Sequence, residues 1–190
     1  MSAAPFVFLS RRDSNCASLC YRLKSMSSAS LTSLDFRRAL GQFATGVTVV
    51  TVERAPGRVH GMTANSFTSV SLDPPLISVC VDQHAQLLPL LKEKRVFGIN
   101  VLKEDQQNLS EFFSRTEQTE SEETCLHVHF RWTKEHIPLM ENVLCQVACR
   151  LKATHVAGDH TIVVGEVLYA SLYSGQPLLF FRGRYTRLRS

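Results

Sequence analysis

Apolar residues fall in short runs along residues 34–190, and most runs carry the period of a strand rather than of a helix. Val47-Thr48-Val49-Val50-Thr51-Val52 is β-branched throughout and predicts a strand. Ala55-Pro56-Gly57 reads as a turn, and a strand follows across His60 to Ser71. Asp73-Pro74-Pro75 breaks that strand, and Leu76 to Val81 resumes as another. Val96 to Leu102 and Leu126 to Arg131 read as two more. From Val143 to Leu151 the apolar positions are Val143, Cys145, Val147, Cys149 and Leu151, the alternation of a half-buried strand. Gly158-Asp159 predicts a hairpin turn into a strand from Thr161 to Ala170, with Gly165 at a bulge, and Leu178 to Phe181 is the last strand.

Helical spacing is rarer. Thr32-Ser33-Leu34-Asp35 reads as a helix start with a capping box closed by Asp35. Phe36, Ala39, Leu40 and Phe43 follow at helical intervals, and Gly46 is the expected stop. Ala85 to Lys92 predicts a short helix interrupted by Pro89. Glu104 to Phe113 predicts an amphipathic helix that buries Leu109, Phe112 and Phe113. Thr116 to Thr124 holds four Glu and no apolar residue, as a solvated loop does. The sum is mainly β with short helices: about seven antiparallel strands, whose closure into a small barrel would remove exposed edges.

Composition narrows the class. At 190 residues, 44% hydrophobic and 20% charged, the chain suits one globular domain and excludes a disordered or fibrous protein. No apolar run reaches the roughly 18 residues of a membrane-spanning helix. The net charge of +4 is uneven. Residues 1–34 hold Arg11, Arg12, Arg22 and Lys24 against Asp13, a net of +3, so the rest carries only +1 and makes no electrostatic case for nucleic acid. Residues 1–33, with nine Ser, read as a disordered or targeting leader ahead of a domain at 34–190. The six Cys contain no C-x-x-C pair and imply buried thiols in a reducing compartment. Cytoplasmic location follows, with mitochondria or another organelle the alternative if the leader is a transit peptide.

Absent motifs exclude more. There is no G-x-G-x-x-G after a strand, no phosphate-binding P-loop, no H-E-x-x-H and no G-x-S-x-G elbow. The densest polar and small stretch is Gly61-Met62-Thr63-Ala64-Asn65-Ser66-Phe67-Thr68-Ser69. It reads either as a ligand edge, with Thr63, Asn65, Ser66 and Ser69 as donors and acceptors, or as a strand with hydroxyls in water. His160, beside the turn, is a ligand contact or a solvent-exposed turn histidine. Cys125-x-His127-x-His129 would share one face of a strand, but only His136 offers a fourth ligand, so no metal is assigned. Arg182, Arg184, Arg187 and Arg189 read as a solvated basic end, with phosphate binding the alternative.

Taken in order, five segments resemble the flavin reductase-like domain family. They are Phe43 to Thr51, Gly61 to Leu76, Phe97 to Leu102 with Gln106, Gly158 to Ile162 with Gly165-Glu166-Val167, and Pro177 to Tyr185. The resemblance implies an FMN-binding antiparallel split β-barrel and a homodimer. It further implies hydride transfer from NADH or NADPH to FMN, or to FAD, with reduced flavin passing to a separate flavin-dependent oxygenase. It places Thr63, Ala64, Asn65, Ser66 and Phe67 along the flavin ring, Cys80 and Val81 beside it, and Phe97 and Asn100 on the pocket wall. His84 and Gln86 fall in the loop toward the phosphate, Tyr185 by the flavin, and His160 against the nicotinamide. Here that loop reads Asp82-Gln83-His84-Ala85-Gln86, and an inward Asp82 would repel a phosphate. A flavin carrier or store without reductase activity is the alternative reading. Nothing in the sequence chooses between NADH and NADPH.

Overall fold

The computed structural model describes residues 31–119, 123 and 125–188. The proposed leader lies almost wholly outside the described residues. In chain order the elements are α1 (Ser33–Leu40), β1 (Thr45–Gly46), β2 (Thr48–Ala55), β3 (Arg58–Ala64), β4 (Thr68–Leu72) and β5 (Pro75–Asp82). Next come α2 (Leu87–Lys94), β6 (Val96–Val101), α3 (Gln107–Phe113), β7 (Phe130–Trp132) and β8 (Pro138–Met140). The chain continues through β9 (Cys145–Ala157), β10 (His160–Leu172), β11 (Leu179–Phe181) and β12 (Arg184–Thr186).

Seven strands form one sheet in the order β3-β2-β6-β9-β10-β5-β4, and all its pairings are antiparallel. β1, β11 and β12 make a small sheet beside it, and β7 pairs with β8. The hairpin at Gly158-Asp159 forms as the sequence predicts, and the register of β10 on β9 shifts at Val164/Gly165, where the bulge was expected. Glycine at this position has a packing reason. A Cβ on Gly165 would lie 2.5 Å from Cζ of Phe97.

β2 is β-branched because both of its faces are covered. Val50 and Val52 join Val79, Val81, Phe97, Ile99, Cys149 and Val163 in one core, closed by Leu87, Leu88 and Leu91 of α2. Val47 and Val49 join Leu109, Phe112 and Phe113 of α3 in a second core. Burying each leucine of α2 contributes about 1.5–3 kcal/mol. The Cys149 thiol sits in the first core, and its burial pushes its pKa up to about 12, so it stays a neutral, unreactive thiol.

Several boundaries differ from expectation. α1 forms with its capping box: Asp35 N–H donates to Thr32 Oγ1 at 3.1 Å, and that hydroxyl donates to Asp35 Oδ2 at 2.6 Å. It ends at Gly41 rather than Gly46, and Phe36, Leu40 and Phe43 face outward. The stretch from His60 to Ser71 is two strands interrupted at residues 65–67. Pro89 is the third residue of α2 and does not interrupt it, because the first-turn N–H groups have no helical acceptor to lose. α3 begins at Gln107, after Gln106 turns back to accept from the Lys103 amide at 2.8 Å. Cys125, His127 and His129 do not share a strand face, since β7 starts at Phe130 and His127 has φ of 52°.

Gly98 sits where a Cβ would come 2.6 Å from the Pro138 carbonyl oxygen and 2.5 Å from Thr51 Oγ1, whereas Gly46 has nothing within 4 Å. Gly98→Ala is expected to cost about 1–3 kcal/mol in urea unfolding through overpacking. Gly46→Ala should unfold with the parent. Equal midpoints for the two variants would contradict this packing.

Candidate active site

Three segments converge on the C-terminal end of β5. Residues 65–67 leave β3 and cross toward it. The Cys80 amide donates to Ser66 Oγ at 3.0 Å, and Ser66 Oγ donates to the Cys80 carbonyl at 3.2 Å. On the other side of β5, His160 pairs with Asp82, Thr161 with Val81 and Ile162 with Cys80. Paired strands lie about 4.8 Å apart, so the 65–67 segment and His160 flank one strand end. The hairpin tip is tied to the next loop. Gln83 N–H donates to the Asp159 carbonyl at 3.0 Å and Gln83 Nε2 to the Gly158 carbonyl at 2.7 Å.

In the loop after β5 the Asp82 carboxylate has a local partner. Its Oδ1 accepts the His84 amide at 2.7 Å, which turns the carboxylate onto its own backbone. Among the described residues the Gln86 amide has no backbone acceptor, and Gln86 stands at the start of α2 with its side chain making no cap hydrogen bond. His84 and Gln86 line a cleft of about 190 Å³ shared with His60, Met62, Phe113 and Gln118.

β3 is the edge strand of the large sheet, and Gln118 covers that edge. Its Nε2 donates to the Gly61 carbonyl at 2.7 Å and its Oε1 accepts the Gly61 amide at 3.4 Å, as a neighbouring strand would. Gly61 has to be glycine here, because a Cβ would lie 2.4 Å from Phe113 Cδ1. Gln118 sits in the acidic stretch expected to be plain solvated loop, and no periodicity marks it. His60 is only 6% exposed. Its pKa is lowered, first by burial and then by the positive charge of Arg54. A neutral imidazole thus borders the cleft.

His160 is held by its neighbour. Nδ1 lies 2.7 Å from Asp159 Oδ1. That hydrogen bond, then the charge of the His160 ring, keep the Asp159 carboxyl below its ordinary range. The bond to Asp159 occupies Nδ1 and leaves Nε2 as the ring nitrogen not bonded to Asp159. The ring is 44% exposed.

The other expected residues divide into two groups. Asn65 is exposed, and Ser66, Phe67 and Cys80 are half-buried at the site. Ala64 and Val81 are buried behind it, the Ala64 carbonyl accepting from Thr48 Oγ1 at 2.7 Å. Thr63 Oγ1 donates to the Ser110 carbonyl at 2.7 Å, and Ser110 Oγ lies 2.8 Å from the Tyr185 hydroxyl. Tyr185 reaches the site through that chain, with its ring edge-to-face on Phe180. Phe97 and Asn100 are a correction. Both are fully buried in the barrel interior, not on a pocket wall. Asn100 Nδ2 donates to the Val49 carbonyl and Thr51 Oγ1, each at 3.0 Å, and its Oδ1 accepts the Met140 amide at 2.8 Å. Those bonds lock β2, β6 and β8 together and leave the side chain nothing for a ligand.

Residues 40–189 match the family model described as the flavin reductase like domain. The chain belongs to this family. It is 43% identical over 155 residues to the FMN reductase (NADH) SmoA of Agrobacterium fabrum, covering 82% of this chain and 86% of that one. It is 39% identical over 158 residues to the reductase component of 4-hydroxyphenylacetate 3-monooxygenase from Thermus thermophilus, covering 80% and 95%. Among solved structures, the NADH:FAD oxidoreductase SgcE6 of Streptomyces globisporus, in complex with NAD and FAD fragments, superposes with a TM-score of 0.73 at 35% identity. That match covers 82% of this chain and 92% of the other. The family's split barrel accounts for the incomplete closure seen here. β3 and β4 are the outer strands of the large sheet, and the Ser66 hydroxyl spans from their connection to β5.

Two predictions follow from this geometry. Ser66→Ala removes both bonds to Cys80 and should cost about 1–3 kcal/mol in chemical denaturation; a variant as stable as the parent would mean that the bridge holds nothing. The lowered pKa of His60 means that the unfolded chain takes up a proton before the folded one does. Stability is then complete above the ordinary value of 6.5 and declines as pH falls below it. His60→Gln should flatten that decline, measured as midpoint against pH from 7.5 down to about 5.

Proposed function

We propose that this chain is an NAD(P)H-dependent flavin reductase. It reduces FMN, with FAD as the alternative flavin, and releases reduced flavin to a separate flavin-dependent monooxygenase. The observation that carries this reading is the meeting of residues 65–67 and His160 on either side of the end of β5. The side chains there suit a flavin. The exposed Asn65 amide offers both a donor and an acceptor to a heteroaromatic edge, and half-buried Phe67 offers apolar surface. The His84 and Gln86 side chains, with the Gln86 amide, offer a donor set for a phosphate, the Asp82 carboxylate being engaged by the His84 amide.

A bound flavin would supply the redox chemistry, that of a two-electron acceptor for reduced nicotinamide. The protein contributes orientation and exclusion of water. Asn65, Ser66 and Phe67 would hold the ring edge with Cys80 beside it, supported from behind by Thr63, bonded to Ser110, and by buried Ala64 and Val81. His160, held by Asp159, would meet the nicotinamide through the ring face and Nε2 that this bond leaves open. Tyr185 acts at one remove, through Ser110 and Thr63. No residue serves as a nucleophile.

The working unit in this proposal is a homodimer of residues 34–190. Phe36, Leu40 and Phe43 beside α1, and Val70 and Leu72 on β4, stand exposed, Phe43 at 77% and Leu72 at 94%. Exposed apolar groups of that size call for a covering surface, and a second copy supplies one. Residues 1–33 are proposed as a leader. Among the described residues no helix is long and apolar enough to cross a membrane. Cys80, Cys125, Cys145 and Cys149 are free thiols, which supports a reducing compartment such as the cytoplasm.

His160→Ala is expected to lower turnover or raise the nicotinamide KM by roughly tenfold or more, the scale of one lost positioning contact. Flavin affinity, read by fluorescence quenching, should stay within error of the parent. A variant that reduces flavin as fast as the parent, at the same KM, would remove His160 from the assignment.

A further inference from the structure

α1 presents two different faces. Phe36 and Leu40, four residues apart, share one, while Arg37, Arg38 and Gly41 share another. The arginine face looks onto the turn between β11 and β12. Gly41 makes the approach close: a Cβ there would lie 3.5 Å from the Arg182 Cα, and the Arg182 amide donates to the Gly41 carbonyl at 2.9 Å. Between the two walls lies a cleft of about 350 Å³ lined by Arg37, Arg38, Gly41, Gln42, Arg182 and Gly183. Three guanidinium groups line it and no carboxylate does.

The cleft is organised. Gln42 donates through Nε2 to the Arg38 carbonyl at 3.2 Å and accepts through Oε1 from Arg182 Nε at 2.8 Å. That bond and the Phe181 ring, 4.9 Å from the guanidinium carbon, hold Arg182 against the cleft that it lines. No ion pair to a carboxylate is made by Arg37, Arg38 or Arg182 among the described residues. Three such groups around one hollow repel each other and gain most from a multiply charged oxyanion, which guanidinium binds bidentately. The cleft adjoins the β11–β12 hairpin, whose Tyr185 joins the proposed site through Ser110 and Thr63.

We propose that this cleft is a phosphate subsite for the nicotinamide dinucleotide. It takes either the 2′-phosphate of NADPH or the pyrophosphate common to NADH and NADPH. The proposal rests on the reductase reading for the identity of the ligand, while the cleft itself does not.

The test is steady-state kinetics with FMN at low salt, with NADH and NADPH in turn, on the parent, Arg37→Gln, Arg38→Gln, the double variant and the conservative Arg38→Lys. Arg37 and Arg38 are exposed, so the substitutions leave the core untouched. Loss of two charge-assisted contacts should raise the nucleotide KM of the double variant roughly tenfold or more. Arg38→Lys should recover part of that rise. A rise for NADPH alone supports the 2′-phosphate, and a rise for both nucleotides supports the pyrophosphate. Unchanged KM for both, with an active parent, overturns the subsite and leaves the arginines to the helix dipole. If the parent oxidises neither nucleotide, the reductase reading fails instead. Calorimetry with adenosine 2′,5′-bisphosphate then judges the cleft alone: binding lost in the double variant supports it, and no binding to the parent overturns it.

Discussion

One hydroxyl holds the site to the barrel. Ser66 accepts from and donates to the backbone of Cys80, and so joins the break between β3 and β4 to the end of β5. The large sheet has β3 and β4 as its outer strands, and the three-residue connection between them gains its side-chain tie to β5 from Ser66. With that connection pinned, Asn65 and Phe67 become fixed features. β10 then delivers His160 to the other side of the same strand through ordinary antiparallel register. The site is a consequence of strand order: residues nearly a hundred positions apart meet because β5 separates them by one strand on each side.

The polar groups around this point are mostly engaged with backbone. Thr63 donates to Ser110, Asp82 accepts from the His84 amide, Gln118 pairs with both groups of Gly61, and His160 is held by Asp159. Each bond removes a rotamer choice before any ligand arrives. Such preorganisation suits a reaction in which the protein contributes orientation and the bound groups contribute the electrons. The charge distribution is consistent with that division. The carboxylates near the loop have local partners, and three guanidinium groups without a carboxylate partner among the described residues gather in the hollow by α1.

Much of this was legible in the sequence, for identifiable reasons. The all-β-branched run at Val47 to Val52 marked a strand, and the hairpin at Gly158-Asp159 and the bulge at Gly165 followed from local glycine and turn signals. The ordered segments from Phe43 to Tyr185 carried the family. What stayed hidden depends on tertiary contact. Asn100 resembles a pocket residue in one dimension, yet three hydrogen bonds tie it into the interior. Gln118 sits in a run without periodicity and matters only because Gly61 lies on an edge strand. α1 shows helical spacing of Phe36 and Leu40, but spacing alone does not say whether a helix faces its own core. Arg37, Arg38 and Arg182 are far apart in the chain, and only the bond from Arg182 to Gly41 brings them to one hollow.

The central claim is that this chain passes hydride from a reduced nicotinamide to flavin. The most direct measurement is nucleotide oxidation by the purified protein, followed at the nicotinamide absorbance band with and without added FMN. Oxidation that depends on FMN, or rises with it, is the result expected. A protein that binds FMN but oxidises neither NADH nor NADPH in its presence would contradict the claim and leave a flavin carrier in its place.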